Sequence, residues 1–354
     1  MPTLLEHGLR TLLALGGAVL VITTLSAAVR SFVLPRNEAV RLNIFIFTRV
    51  RKLFEFAARR ADNYARRDRI MAHYAPVALV TLPISWLALV SLGYVPIYHL
   101  LGVGSWEKCY ELSGSSLLTL GTTSDNNLIV NIFTYSEATL GLLLLTLLLS
   151  YLPTLYQAFA RRETTVAQLE LRAGVPPTAC GLLGWLGKED GDFTNDDDQW
   201  LAWETWLVEL DESHTSLAVL AFFRSPQSGR SWVTAAGLIL DAANLLFSAL
   251  DAKYSRQVQL TFSAGCLALG RIQRYFDNTA EPVVAELRSD TEQAAAAPGR
   301  EAFNQAWNNL GELGLPRVTD EETAWQHYQQ RRIRYAPALE FLEKLLMAPS
   351  PASR

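Results

Sequence analysis

Apolar residues crowd into the first 160 positions, in three runs separated by polar stretches of different kinds. Residues 11–29 form an uncharged run of nineteen residues, long enough to cross a bilayer as a helix. Residues 76–101 form the second. Pro76 suits a first helical turn, and Pro83 and Pro96 predict a kink or an end. The third is leucine-rich. It is read as starting at Ser136 as N-cap, with Glu137 favourable at the positive helix end, and as ending at Phe159. Between the second and third runs lies LSGSSLLTLGTTSDNN, residues 112–127. It is too short to span and too rich in hydroxyls and glycine to face lipid. A re-entrant segment of this kind is tolerated only where protein buries it or it lines water.

Charge orients these runs. Residues 36–69 carry ten bases, among them Arg49, Arg51, Lys52, Arg59 and Arg60, against four acids. Under the positive-inside rule this segment is cytoplasmic, which makes residues 1–35 an anchor with its N-terminus outside. A secretory signal is the alternative, since Ser26, Ala27 and Ala28 are small; the charge, however, follows the run. Within the basic segment, residues 36–75, Ile44, Ile46, Phe47, Val50, Phe54 and Ala57 recur at helical spacing. That pattern predicts an amphipathic helix lying on the anionic inner leaflet as an interfacial anchor. A nucleic-acid patch would also be basic, but its place between two spans argues against it. Arg161 and Arg162 close the third run, so the C-terminus is cytoplasmic as well.

The third run has one distinctive face. Thr139, Leu143, Thr146, Ser150, Thr154 and Gln157 fall at three- and four-residue steps. A hydroxyl stripe on a leucine helix suits a water-filled cavity; close packing through small polar residues is the other reading. Pro153 removes a backbone donor and can bend the helix near its inner end.

Within the polar loop, Thr119-Leu120-Gly121 resembles the start of the potassium-channel filter, Thr-Val-Gly-Tyr-Gly. Residues 105–118 resemble its short pore helix, with Ser105 as N-cap and Trp106, Ser115 and Ser116 on the helix. Residues 136–141 resemble the Thr-x-Gly start of the family's inner helix. The likeness to bacterial pore-loop channels covers residues 75–160, under a quarter of the chain. Together with the spans read above it gives an all-α membrane pore-loop fold, three transmembrane helices with a re-entrant pore helix and filter, to which the rest of the chain adds a helical cytoplasmic domain. It also implies a homotetramer in the cell membrane, with potassium ions held by the carbonyls of Thr119, Leu120 and Gly121, and it makes Pro153 the gate candidate, since the family often bends its inner helix for gating. This sequence departs from the family where Thr122 and Thr123 replace the aromatic and the second glycine, and Asp125 comes one residue late. Fewer complete carbonyl rings imply modest potassium selectivity.

Residues 161–198 extend the third run and end in the acidic stretch KEDGDFTNDDD, which lacks the order of a calcium loop and reads as a linker. Residues 199–347 read as a soluble helical domain, with a short tail at 348–354. Trp200, Trp203, Trp206 and Leu207 share one helix face. Residues 233–250 are nearly apolar enough for a span, but Asp241 and Asn244 mark a buried core helix. Residues 258–276, 282–297, 302–313 and 319–346 read as further helices, the last bearing Arg331, Arg332 and Arg334.

Composition narrows the function. The chain has 354 residues, half of them hydrophobic, and a net charge of −4 that is basic near the membrane and acidic beyond it. Cys109, Cys180 and Cys266 show no metal spacing and no disulfide framework; the last two read as reduced packing residues. No phosphate loop, nucleophile elbow or zinc signature is present; His214 near Glu209, Asp211 and Glu212 is a conceivable metal or acid–base cluster, but with no second histidine or cysteine nearby it reads as a helix boundary with local charges, so no catalytic residue and no cofactor is expected. The second reading is a membrane-anchored scaffold or sensor whose cytoplasmic domain binds a protein or small ligand.

Overall fold

The computed structural model describes residues 4–32, 41–61, 63–121, 127–187, 192–227, 229–279 and 299–348. The described residues are helical, with two isolated β-bridges and no longer strand. They form two compact units: Met1–Arg60 with His73–Tyr156, and Ala61–Ala72 with Gln157–Arg354.

The first unit contains α1 (Leu4–Phe32), α2 (Arg41–Ala58), α4 (Tyr74–Leu100), α5 (Trp106–Leu117) and the first part of α6 (Leu128–Ala173). Its architecture follows from how helices meet without water. Between helices in lipid the hydrophobic effect is absent, and close backbone approach takes its place. α1 and α4 meet at Gly17 and Gly93. A Cβ on Gly17 would lie 2.2 Å from the Gly93 carbonyl oxygen, and one on Gly93 would lie 2.7 Å from that of Gly17. The interior is aromatic and aliphatic, with Trp86, Val90, Tyr98 and Leu144 fully buried. The outer faces keep large apolar residues exposed, including Leu12, Ile22, Val80, Ile84, Leu142 and Leu149.

Three features of this unit bear on the sequence expectation. Pro83 and Pro96 lie inside α4 without ending it. Pro96 packs its ring at Gly17, so α1 covers the place where the proline interrupts the helix. α6 begins at Leu128 and not at Ser136. Asn127 accepts from the Ile129 amide, and the Ser136 hydroxyl merely bonds back to the Phe133 carbonyl at 2.8 Å. Glu137 is therefore far from the helix's positive end. On α2, Ile46 is buried in the first unit's core, Phe47 and Val50 are partly buried against it, and Phe54 packs against Tyr74. Phe45, Leu53 and Phe56 are exposed instead, with Arg49 over the Phe45 ring and Arg60 over that of Phe56.

The second unit contains α3 (Tyr64–Ala72), the end of α6, α7 (Ala179–Leu186), α8 (Asp197–Ser216), α9 (Trp232–Ala249), α10 (Arg256–Thr279), α11 (Arg300–Glu312), α12 (Glu321–Arg332) and α13 (Ala336–Leu346). Its core buries Trp200, Trp203, Trp206 and Leu207 of α8 against α9 and α10. The single helix expected over 319–346 is two, α12 ending at Arg332 and α13 starting at Ala336, because Pro337 in the first turn of α13 has no amide to donate back to the Ile333 carbonyl. α3 is tied down by Arg224, which pairs with Asp68 at 2.5 Å and donates to the Leu346 and Met347 carbonyls. The helix expected over 282–297 and the tail beyond residue 348 lie outside the described residues.

Among the described residues, four helical stretches are long and apolar enough to cross a membrane: Glu6–Ser31, Ala65–Leu100, Leu128–Ala173 and Trp232–Ala249. The fourth is α9, the core helix of the second unit.

Candidate functional site

The site is built on α5. Its twelve residues start from Ser105, whose hydroxyl accepts from the Lys108 amide, the cap expected from the sequence. Trp106 stacks on His99 with ring centroids 4.3 Å apart, which fixes the turn that leads from α4 into α5. Cys109, Ser113 and Leu117, spaced by four, form the buried face of the helix. Gly141 of α6 lets that helix close on the end of α5: a Cβ there would lie 2.2 Å from the Leu117 carbonyl oxygen.

The C-terminus of α5 is a reciprocal pair of bonds. The Thr119 amide donates to the Ser116 carbonyl and the Leu120 amide to the Ser115 carbonyl. The residue at the turn must then be left-handed, a place that glycine normally takes. Here it is Thr119, at φ +54, and a β-branched side chain resists that conformation. Strain of this kind persists only where its surroundings enforce it, and it gathers at functional sites. Gly121 follows at φ +94, and its carbonyl accepts from the Ser115 hydroxyl at 2.8 Å. Ser116 is buried and bonds to the Leu112 carbonyl. Thr119, Leu120 and Gly121 are exposed at the helix tip. Thr122, Thr123 and Asp125 lie outside the described residues.

On α6, Thr139, Leu143, Thr146, Ser150, Pro153, Thr154 and Gln157 are all exposed, while Leu144 and Leu155 are buried on the other side. The expected stripe is thus one continuous outward face. Thr139 and Ser150 bond to the carbonyls of Tyr135 and Leu147 in their own helix.

One element of the site went unread in the sequence. Glu137 is 0% exposed, and its carboxylate accepts from Ser113 at 2.6 Å and from Tyr98 at 2.7 Å. Ser91 bonds to Ser113 at 2.8 Å, and Tyr94 reaches Ser136 at 2.9 Å. The signal was present: an acid in an apolar run marks a functional position by default. Placing the helix start at Ser136 explained it away.

Chemistry elsewhere is sparse. His214 is buried beside Trp232, with Arg162 at 3.4 Å from its Nε2 and the Leu210 carbonyl at 3.0 Å from its Nδ1. Burial and the Arg162 charge hold its imidazole well below the usual histidine range. It lies in a structural core and not among acids. No group of three or more His, Cys, Asp or Glu that could hold a metal occurs among the described residues. The cysteines are free and buried. Of the acidic stretch, 188–191 lies outside the described residues.

No protein-family model, no characterised protein and no solved structure matches this chain.

Proposed function

We propose that this chain is the subunit of a homotetrameric cation channel of the cell membrane, potassium-permeable with modest selectivity, with its C-terminal unit in the cytoplasm. One observation carries the reading. α5 has 12 residues, about 18 Å at the helical rise, so it cannot cross a hydrocarbon core of roughly 30 Å. Yet it packs between two helices that can, and it ends in a strained polar turn at Thr119. A short helix of this kind points its negative end and the following carbonyls into the membrane. The outward stripe of α6 supports the reading, because four copies facing one axis would turn those hydroxyls toward water. Thr119, Leu120 and Gly121 would supply the ion's carbonyl ligands, Thr122 and Thr123 would widen the outer rings, and Asp125 would lie at the mouth.

The test is cation flux in liposomes, with reversal potentials in mixed potassium and sodium. The expected result is a cation current with a modest potassium preference, lost in Gly121→Ala, because φ +94 opposes a side chain. Thr122→Tyr with Thr123→Gly should raise the preference. Folded, tetrameric protein that passes no ion overturns the channel. It would select the second reading, a membrane-anchored scaffold or sensor, which one contact favours: the Gly121 carbonyl already accepts from the Ser115 hydroxyl of its own chain.

A further inference from the structure

We propose that Glu137 is a positioning residue which locks α5 onto α4 and α6 and thereby sets the turn at 118–121. The geometry is a register. Ser113 and Leu117 stand one helical turn apart on α5; Glu137 and Gly141 stand one turn apart on α6. Ser113 donates to Glu137 at 2.6 Å, and the Leu117 carbonyl lies where a Cβ of Gly141 would collide. Sliding α5 by one turn would break both contacts together. Tyr98 and Ser91 of α4 close the arrangement, the first on the other carboxylate oxygen and the second on the Ser113 hydroxyl.

The lock reaches the turn by a short route. Two residues beyond Ser113, the Ser115 hydroxyl holds the Gly121 carbonyl and the Ser115 carbonyl holds the Leu120 amide. A carboxylate buried among apolar helices is costly unless bonded. Here both bonds come from neutral hydroxyls on two different helices. An apolar residue of similar size would pack without demanding that alignment. The acid is therefore selective for one placement of α5. Its effect on ions rests on the channel reading above; its hold on α5 does not.

The chain carries its own reporter. Cys109 lies on the same buried face as Ser113, one turn earlier, and is 0% exposed. Full-length protein in liposomes, with Cys180→Ala and Cys266→Ala to leave Cys109 as the sole thiol, is treated with a membrane-permeant maleimide. Cation flux is measured on the same preparation. Glu137→Ala should label roughly tenfold faster than its parent, as expected when a buried bonding partner is lost and local opening becomes easier. Tyr98→Phe and Ser113→Ala, which remove one hydroxyl each, should fall between, with a shifted reversal potential. Glu107→Gln, an exposed acid on the same helix, should change neither.

Cys109 protection unchanged in folded Tyr98→Phe and Ser113→Ala overturns the lock, even if Glu137→Ala fails to fold. Faster labelling with unaltered selectivity overturns its bearing on the turn. A wild-type protein without flux, but with Cys109 released by these variants, sinks the channel reading and leaves the lock standing.

Discussion

Helices α6 and α9 give nearly the same message in the alphabet of hydropathy, and they do opposite things. Each holds an eighteen-residue window apolar enough to cross a bilayer, but that window is 17% buried within the protein in α6 and 78% buried in α9. Beyond Ser136 and Glu137, which reach α4 and α5, the difference lies in how their polar residues are satisfied. Asn244 of α9 donates to the Tyr328 carbonyl and lies 3.4 Å from the Tyr335 hydroxyl, and Tyr335 in turn bonds to Asp241 at 2.5 Å. These partners come from α12 and from the start of α13, so α9 is polar toward protein. Thr139 and Ser150 of α6 bond only to their own helix, which needs no protein neighbour. Hydrophobicity sets the demand for a dry environment; the reach of the polar groups decides whether protein or lipid supplies it.

The sharpest way to break this contrast is to truncate one leucine on each helix. Leu240 of α9 is fully buried and Leu149 of α6 is 67% exposed. Leu240→Ala should cost about 2–5 kcal/mol of stability. Leu149→Ala should stay within about 0.5 kcal/mol. Thermal melts in detergent, followed by tryptophan emission, measure both. Equal losses would mean that α6 is covered to the same degree as α9.

The glycines offer the next comparison. In Gly17→Ala the new Cβ meets backbone, the Gly93 carbonyl. In Gly237→Ala of α9 it meets only the end of the Leu339 side chain, at 2.8 Å from Cδ2. The first should cost about 1–3 kcal/mol through helix separation. The second should stay within about 1 kcal/mol, since alanine's better helix propensity offsets the adjustment. Unfolding of the two variants side by side decides it; a costlier Gly237→Ala would deny the first unit its reliance on backbone approach.

The smallest effect separates the units by pH. His214 is neutral in the fold, while in the unfolded chain it takes up a proton near pH 6.5. Below that value the unfolded state binds the extra proton, so stability falls as pH falls and is fully present only above it. Between pH 7.5 and 5.5 the second unit should lose about 1.4 kcal/mol. His214→Gln should flatten that slope; an unchanged slope would place the titration elsewhere.

Local chemistry was legible where it acted on the next few residues. The Ser105 cap and the tryptophan face of α8 follow from spacing alone. Asp241 and Asn244 rightly marked α9 as core. The start of α6 was not legible, because Leu128, Ile129 and Val130 are apolar directly after a polar string and the cap at Asn127 competes with a plausible one at Ser136. That error hid Glu137, whose meaning depends on Ser113 and Tyr98, 24 and 39 residues away. The inward turn of α2 was unreadable for a similar reason: its two apolar faces, Ile46 with Val50 and Phe45 with Leu53, differ only in which one α4 meets. The break before α13 was signalled by Pro337, but the charged pattern across it reads as continuous. The left-handed Thr119 carries no sequence signal, since its conformation is imposed by the two carbonyls it closes upon.

The self-bonded hydroxyls of α6 also bear on how the chain is made. A nascent segment passes into the bilayer before its partners exist, and every polar group it carries then weighs against insertion. By giving their protons to carbonyls one turn back, Thr139 and Ser150 enter as near-apolar residues and keep their oxygen lone pairs in reserve. Under the channel reading proposed above, the same helix would present one character to the membrane during synthesis and another to water after assembly, with no change in backbone.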